Sequence, residues 1–306
     1  MADACWYVLG AGSVGTLWAC RLARAGLPVR LVLRDSDRLD RYRHGPGLRL
    51  VEGDRETTFA LPAQTADAPA PIERLLVACK AYDAEAAVAS VHHRLSPGAD
   101  VVLLQNGLGS QQAVAAALPG VEVTFASTTE GAWARPDGAV VFAGQGFTWL
   151  GSALGRPAPA WLQDLQLAGI PHQWTQDIMA RLWRKLAINC AINPLTVLEQ
   201  CANGGLRAHG PAVTALCTEL TGLLEAVGQP AAALNLAQDV DEVIAATAAN
   251  FSSMYQDVAA GRRTEVRYLI GHACAEARRV GAAVPTLETL HGALLAALRD
   301  RGLPTN

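Results

Sequence analysis

The segment that most constrains the fold is VLGAGSVG, near the amino terminus. It follows the apolar run CWYVLG (5–10) and precedes the helical pattern TLWACRLARAG. A strand that turns sharply into a helix through G-x-G-x-x-G is typical of a parallel βαβ unit, and its glycines let the backbone approach a pyrophosphate at the positive end of the helix. The alternative is a structural turn without a ligand. The predicted dinucleotide-binding residues are Gly10, Gly12, Ser13, Val14 and Gly15.

The first half of the chain continues this alternation of apolar runs and helical stretches. VRLVLR (29–34), RLLVACK (74–80) and DVVLLQN (100–106) have the composition of buried parallel strands. Two alternating runs flank Gly53-Asp54, which predicts a hairpin at the periphery of the sheet. Further strands are expected beyond residue 120, with a turn at Pro136-Asp137-Gly138. We predict an α/β fold whose N-terminal part is a Rossmann-type doubly wound sheet.

The pattern changes at about residue 175, after which alanine and leucine recur at helical spacing and no convincing strand remains. The 306 residues allow two domains of roughly 150 residues each. We therefore predict a dinucleotide-binding domain over residues 1–175 and an all-helical domain over residues 176–306. The alanine-rich helical part is compatible with a homodimer.

Composition excludes several classes of protein. The formal net charge of −3 gives no support for a nucleic-acid partner. No apolar run reaches the roughly 20 residues that span a bilayer, and no basic segment precedes the first hydrophobic stretch, so we expect neither a membrane partner nor export. The seven cysteines are odd in number and scattered without zinc-site spacing. We expect a cytoplasmic protein with reduced thiols and no metal site.

The end of the second predicted strand, LRDSDR, bears on the choice of dinucleotide. NAD sites usually place an acidic residue there for the ribose hydroxyls, whereas NADP sites offer an arginine to the 2′-phosphate. Arg34 stands first at this place and is followed by Asp35 and Arg38. The arginine favours NADPH/NADP, Asp35 keeps NAD open, and a solvated charged turn is the alternative without a ligand.

Polar residues also end the next two predicted strands, Lys80 on one and Gln105-Asn106-Gly107 on the other. Ligands of open α/β sheets bind at the carboxyl ends of the strands, so Lys80 and Asn106 are candidates for the cofactor or substrate. A solvated lysine and an ordinary Asn-Gly turn would give the same sequence.

The apolar segment RLWRKLAINCAINPLT (181–196) carries Lys185, Asn189 and Asn193 at intervals of four, which puts them in one row on a helix. Pro194 is expected to end or kink that helix. A narrow polar row in an apolar helix suits either a solvated face or a cleft. In a cleft, the lysine could donate a proton to a reacting carbonyl.

A second polar cluster lies in ANFSSMYQDVAAGRRTEVRYLIGH, residues 249–272. Short polar side chains gather on a predicted helix that Gly261 ends; they are Asn250, Ser252, Ser253 and Gln256. Thr264 is expected to cap the next helix, with Glu265 in its first turn. These residues supply hydroxyls and a carboxylate suited to an oxo acid or hydroxy acid, although a surface patch and a favourable helix-end charge explain them equally well.

These segments together resemble the ketopantoate reductases (2-dehydropantoate 2-reductases). The resemblance runs through VLGAGSVG, CKAYD, QNGLGS, RLWRKLAINCAINPLT, SSMYQDVAAGRRTE and VPTLETLHGALL, in order and over nearly the whole chain. It implies NADPH-dependent reduction of ketopantoate to pantoate, a step of pantothenate and coenzyme A biosynthesis, in a cleft between the domains. The runner-up is a related NADP-dependent dehydrogenase for another 2-oxo or 3-hydroxy acid, and a non-catalytic NADP-binding sensor is the third alternative.

The resemblance also implies a role for each matching residue. Lys185 matches the catalytic lysine, Glu265 the active-site glutamate and Arg34 the reader of the 2′-phosphate. Lys80 matches a lysine near cofactor and substrate. The implied substrate-pocket residues are Asn106, Asn189, Asn193, Asn250 and Ser253, with the asparagine row holding Lys185. Two positions depart from the family pattern, because Glu130 stands where many members have an aromatic residue or histidine and His291 where a tyrosine is common.

Overall fold

The computed structural model describes residues 4–152 and 154–306. It divides into two compact units, one made of residues up to 105 with 110–178, the other of residues 106–109 with 179–306. The sequence places the boundary at residue 175, and the structure places the main division at 178. The short segment 106–109, which belongs to the second unit although its neighbours in the chain belong to the first, has no signal in the sequence pattern.

The first unit is built from strands and helices in alternation. Its strands are β1 (Trp6–Leu9), β2 (Val29–Leu33), β3 (Leu48–Glu52), β4 (Arg55–Phe59), β5 (Ala63–Thr65), β6 (Ile72–Val77), β7 (Leu95–Leu103), β8 (Glu122–Thr128), β9 (Gly131–Ala134), β10 (Val140–Gly144), β11 (Thr148–Ser152) and β12 (His172–Trp174). Its helices are α1 (Ser13–Arg24), α2 (Ser36–His44), α3 (Ala81–Val91), α4 (Ser110–Ala116) and α5 (Leu162–Leu167), with a 3-10 turn at His92–Arg94.

The main sheet has eight strands in the order β12-β11-β8-β7-β6-β1-β2-β5. Every neighbouring pair is parallel except β8 with β11. The four strands predicted from CWYVLG, VRLVLR, RLLVACK and DVVLLQN are β1, β2, β6 and β7, and they lie side by side at its centre. The predicted α/β class and Rossmann-type sheet are confirmed.

The glycine turn between β1 and α1 is set by close backbone approach. Gly10 has φ +104°, and a Cβ added there would lie 2.7 Å from the backbone nitrogen of Cys79 on the neighbouring chain segment. A Cβ at Gly15 would lie 2.0 Å from the carbonyl oxygen of Gly10. Neither position can hold a side chain, because the obstructing atoms belong to the backbone. A Cβ at Gly12 would meet nothing within 4 Å, so this glycine leaves its side of the turn open.

Helix α1 packs between the main sheet and a second sheet of four strands, β4-β3-β10-β9. A helix packed on one side shows one apolar stripe, but here every residue from 15 to 22 is buried. The predicted hairpin around Gly53-Asp54 exists as β3–β4, and the predicted turn at 136–138 joins β9 to β10. The hairpin's predicted place at the periphery of the main sheet is wrong, because Leu48 and Leu50 cover the outer face of α1.

Glu130, one of the two departures from the family pattern, belongs to this packing. Its carboxylate accepts a hydrogen bond from the guanidinium of Arg21, which also donates to the carbonyl of Gly169. Arg21 and Glu130 are 8% and 7% exposed. An arginine that is buried within α1 needs a partner of opposite charge. The carboxylate of Glu130 is that partner.

The second unit consists of helices. They are α6 (Ile178–Leu198), α7 (Gly210–Ala226), α8 (Pro230–Ala233), α9 (Leu236–Ala246), α10 (Ser253–Ala259), α11 (Ile270–Val280) and α12 (Pro285–Asp300), with 3-10 turns at Asn203–His209 and Val266–Tyr268. No strand follows Trp174 in the described residues, which confirms the predicted helical C-terminal region. None of the helices in the described part of the chain is both long enough and apolar enough to cross a membrane.

Helix α6 does not end at Pro194 but runs through it to Leu198. Proline removes one backbone hydrogen bond and strains the preceding turn. The residues around it are buried, including Ile192, Leu195 and Val197, and their burial offsets that cost. Packing therefore overrides the local signal on which the predicted helix end was based.

The glycine turn generates a test with a built-in control. Gly15→Ala should lower the free energy of unfolding by about 3 kcal/mol, because its methyl group meets a backbone oxygen that cannot move aside. Gly12→Ala should change it by less than about 1 kcal/mol, because its methyl group enters open space. Urea unfolding of both variants measures the difference. Equal stability of the two would contradict the close approach described here.

Candidate active site

Helix α6 carries the polar row that the sequence predicts. Lys185 and Asn189 are partly buried, and Asn193 is 6% exposed. Leu182 and Leu186 beside them are buried in the apolar interior of the unit. The row is therefore not a solvated face, since a solvated face would leave these side chains exposed.

The ammonium of Lys185 has a defined acceptor. Its Nζ donates a hydrogen bond of 2.7 Å to Oδ1 of Asn106. This acceptor comes from the segment 106–109, and the expectation that the asparagine row helps to hold the lysine stays a prediction.

That segment is fixed to the 3-10 turn Val266–Tyr268. The backbone N–H of Leu108 donates to the carbonyl of Tyr268 at 2.9 Å. Gly107 has φ +81°, and a Cβ there would lie 2.2 Å from the same carbonyl oxygen, so only glycine allows this contact. The position of Asn106 is thus set by its two successors in the chain.

The same 3-10 turn begins at Glu265. The carbonyl of Glu265 accepts hydrogen bonds from the backbone N–H groups of Tyr268 at 3.0 Å and Leu269 at 3.1 Å. Glu265 as a whole is only 6% exposed. One short turn therefore places the predicted glutamate and the loop of Asn106 together in the second unit.

Burial changes the acidity of the lysine. Removal of the ammonium from water lowers the pKa of Lys185 from 10.5 to about 8, and the negative charge of Glu265 opposes part of that shift. A lysine with a pKa near 8 is charged at neutral pH and still gives up its proton readily. That combination suits a general acid.

The two other predicted substrate residues flank the start of α10. Asn250 and Ser253 are exposed, whereas Ser252 between them is buried and caps the helix by accepting from the N–H of Tyr255. Asn250 was expected on the helix, but it precedes it. Its carbonyl accepts a 2.9 Å hydrogen bond from the backbone N–H of Asn203.

Thr264 does not cap the turn that follows. Its hydroxyl is buried and has no hydrogen-bond partner among the described residues, and Glu265 occupies the position before the 3-10 turn. The expected cap is therefore wrong. The turn that forms is a short 3-10 segment buried at Val266, and packing decides its start.

The dinucleotide-binding candidates lie in the first unit. Ser13 and Val14 form the first turn of α1, where Gly12 stands at the capping position without a side chain and no acidic residue opposes an anion. The open side of Gly12 gives a phosphate access to backbone N–H groups at the positive helix end. These residues fit a dinucleotide pyrophosphate. Lys80 stands at the capping position of α3 and is partly buried.

Arg34 and Asp35, which follow β2, make different contacts. Asp35 caps α2, because its Oδ1 accepts a 2.7 Å hydrogen bond from the N–H of Arg38. Arg34 is exposed and pairs with Asp83. One oxygen of the carboxylate that would hold the ribose of NAD is thus engaged by the backbone, while the arginine pairs with Asp83 in a solvated ion pair.

The structure brings the site candidates together in two groups. The glycine turn, Arg34 and Lys80 belong to the first unit, whereas Lys185 and the remaining candidates belong to the second. Among the described residues, no cluster of three His, Cys, Asp or Glu side chains could hold a metal ion. Sequence reasoning missed Tyr268 as the support of the Asn106 loop. The only signal for it is Gly107, whose glycine marks a close approach without naming its partner.

Two family models match this chain. The model "Ketopantoate reductase PanE/ApbA" matches residues 6–155, and the model of the C-terminal domain of the same family matches residues 177–297. The 2-dehydropantoate 2-reductase of Vibrio cholerae is 36% identical over 288 residues, which are 93% of this chain and 94% of that protein.

Solved structures show the same fold. A PanE/ApbA family ketopantoate reductase from Ralstonia eutropha JMP134 superposes with a TM-score of 0.88 at 24% identity, covering 97% of this chain and 99% of that one. A D-mandelate dehydrogenase, solved with NADH and anilino(oxo)acetate, superposes with a TM-score of 0.84 at 20% identity and covers 97% and 99% of the two chains.

The family models span most of both units, and the Vibrio cholerae relative extends the match over nearly the whole chain. The family is one of reductases with an NAD(P)H-binding fold. This chain belongs to the ketopantoate reductase PanE/ApbA family.

Proposed function

We propose that this protein reduces 2-dehydropantoate to pantoate with NADPH, and that Lys185 is its general acid. The observation that carries the proposal is the half-buried ammonium of Lys185, held at 2.7 Å by Asn106 and shifted in pKa to about 8. The family relationship, together with the function of the Vibrio cholerae relative, supports the choice of substrate.

A nicotinamide cofactor, held by the glycine turn, Arg34 and Lys80, would supply a hydride to the ketone carbon when bound. The ketone oxygen then carries the negative charge, and a cation beside it lowers the energy of the transition state. Lys185 supplies that cation and transfers one proton from Nζ to the alkoxide, which gives the secondary alcohol. The neutral amine that remains recovers its proton from solvent. Asn106 holds the ammonium in place, because its Oδ1 accepts a hydrogen bond from one of the N–H groups of Nζ.

The other polar groups orient the substrate. Ketopantoate carries a carboxylate and a hydroxyl besides the ketone. The exposed amide and hydroxyl of Asn250 and Ser253 suit the carboxylate as hydrogen-bond donors, and the Glu265 carboxylate suits the substrate hydroxyl as an acceptor. Asn189 and Asn193 offer further amides along the same face of α6.

The preference for NADPH rests on Arg34 and Asp35. Arg34 is exposed directly after β2, and its partner Asp83 can be exchanged for a phosphate because the pair lies in solvent. One carboxylate oxygen of Asp35 is used in capping α2, which reduces its capacity to accept from a ribose. Lys80 is proposed to add positive charge on the cofactor side.

The test is NADPH oxidation by the purified protein with ketopantoate, run beside NADH and a panel of other 2-oxo acids. Rapid turnover with ketopantoate and NADPH supports the proposal. Turnover confined to another oxo acid would replace the substrate and keep the lysine chemistry. Binding of NADPH without any turnover would favour a sensor.

Removing the proton donor should stop the chemical step. Lys185→Ala should lower kcat by about 10³-fold while the Kd of NADPH changes by less than about twofold, since general acids contribute roughly 10²–10⁴. Lys185→Arg is the matched control for charge, because an arginine stays protonated and stabilises the alkoxide without delivering a proton. It should retain the KM of the wild type and lose most of kcat. A Lys185→Ala enzyme with normal kcat would exclude this mechanism.

The pH profile should report the lysine directly. The protonated form is the active one, so kcat/KM should be flat below the pKa and fall about tenfold per pH unit above about 8. Glu265 raises the pKa of Lys185, so Glu265→Gln should move this basic limb to lower pH. Steady-state rates from pH 6 to 10 measure both. A limb near pH 10 in the wild type would show an ordinary solvated lysine.

Removing the arginine after β2 should alter cofactor choice. Arg34→Ala should raise the Kd of NADPH by about 10- to 100-fold and leave that of NADH within about twofold, because only NADPH carries the 2′-phosphate. Arg43→Ala, an exposed arginine on the same helix-turn segment, is the control and should change neither. Fluorescence titration of both cofactors gives the four constants. Equal losses for NADPH and NADH would remove Arg34 from this role.

A further inference from the structure

A buried chain of hydroxyl groups joins helix α6 to the start of α10. Thr196 Oγ1 donates to the carbonyl of Asn193 at 2.8 Å, and it lies 2.7 Å from Oγ of Ser252. Ser252 Oγ in turn accepts from the backbone N–H of Tyr255 at 3.1 Å. Thr196 is 0% and Ser252 6% exposed, so water does not compete for these bonds.

One assignment of the protons satisfies all the hydrogen bonds between these hydroxyl groups and their neighbours at once. A hydroxyl has one proton to donate. Thr196 uses its proton on the Asn193 carbonyl, so the proton between the two hydroxyls must come from Ser252. The oxygen of Ser252 remains free to accept from Tyr255. Each group is satisfied in one arrangement only, and loss of any member leaves a buried polar atom without its partner.

This chain of hydroxyl groups ends on both sides at residues that are proposed to bind the substrate or that adjoin them. One end is the carbonyl of Asn193, in the polar row of α6. The other is the capping residue Ser252, which directly precedes Ser253 and lies two residues after Asn250. A second brace reaches the same loop, because the backbone N–H of Asn203 donates to the Asn250 carbonyl at 2.9 Å.

We infer that Thr196 and Ser252 are positioning residues that hold Asn250 and Ser253 at a fixed distance from the α6 row, so that the carboxylate of the substrate is bound in register with Lys185. The inference rests on the proposed function for its substrate. Neither hydroxyl touches the substrate. Each acts through the residues beside it.

The first experiment separates the hydroxyl of Thr196 from its volume. Thr196→Val keeps the shape and removes the hydroxyl, whereas Thr196→Ser keeps the hydroxyl and removes a methyl group. Thr196→Val should raise the KM for ketopantoate about tenfold, the effect of about 1.4 kcal/mol, with kcat and the Kd of NADPH within about twofold of wild type. Thr196→Ser should restore the KM to within about twofold of wild type.

Thr218→Val is the matched control. Thr218 lies on α7 and donates to the carbonyl of Thr214 at 3.0 Å, and within residues 4–152 and 154–306 its hydroxyl is joined to no second element. This variant should leave the KM unchanged. Thr196→Ser with a KM as high as that of Thr196→Val would assign the effect to packing and overturn the inference, as would a normal KM in Thr196→Val.

Hydrogen exchange provides a readout that needs no substrate. In Thr196→Val the capped amide of Tyr255 should exchange about tenfold faster than in wild type, while amides of α7 keep their rates. If the wild type proves inactive with ketopantoate but this local acceleration is found, the proposed substrate fails and the positioning chain stands. Unchanged exchange at Tyr255 would overturn the inference whichever acid the enzyme reduces.

Discussion

The candidate site in the second unit is arranged around one partly buried ammonium group, that of Lys185. A lysine removed from water must find acceptors, because an unpaired buried charge costs several kcal/mol. Asn106 supplies an acceptor at 2.7 Å and Glu265 a negative charge. Both are held by the turn Val266–Tyr268, one through the loop contact and one by preceding the turn. The ammonium needs these two partners, and the turn holds both of them in place. The lowered pKa of Lys185 therefore depends on the geometry of this turn.

Much of this site could be predicted from the sequence, because its polar residues interrupt an apolar pattern. The intervals of four between Lys185, Asn189 and Asn193 were enough to place them on one helix face, as the structure has them. The lysine's acceptor could not be predicted in the same way. Asn106 lies 79 residues earlier in the chain, and periodicity carries no information over that separation. The role of Thr196 could not be predicted either, because a single threonine in an apolar segment gives no sign that its hydroxyl is buried.

The fold shows the same division between local and distant information. Central strands such as β1 and β2 were predicted to within a residue or two, because burial on both faces produces continuous apolar runs. The second sheet was misplaced, because a hairpin pattern specifies its own two strands and not the surface that they cover. The covered surface belongs to α1, and the burial of every residue from 15 to 22 on this helix shows that it is covered on both sides. Arg21 within that run is tolerated because Glu130 lies across from it.

The assignment of residues 106–109 to the second unit has a consequence for the modularity of this chain. The polypeptide passes from one unit to the other at 105/106, returns at 109/110 and leaves again near 178. The helical unit is therefore discontinuous in sequence, and a fragment that begins at residue 179 would contain Lys185 without Asn106. Dividing the chain at residue 178 would therefore put the Lys185 ammonium and its acceptor on different fragments, so the helical unit cannot be cut out as one continuous segment.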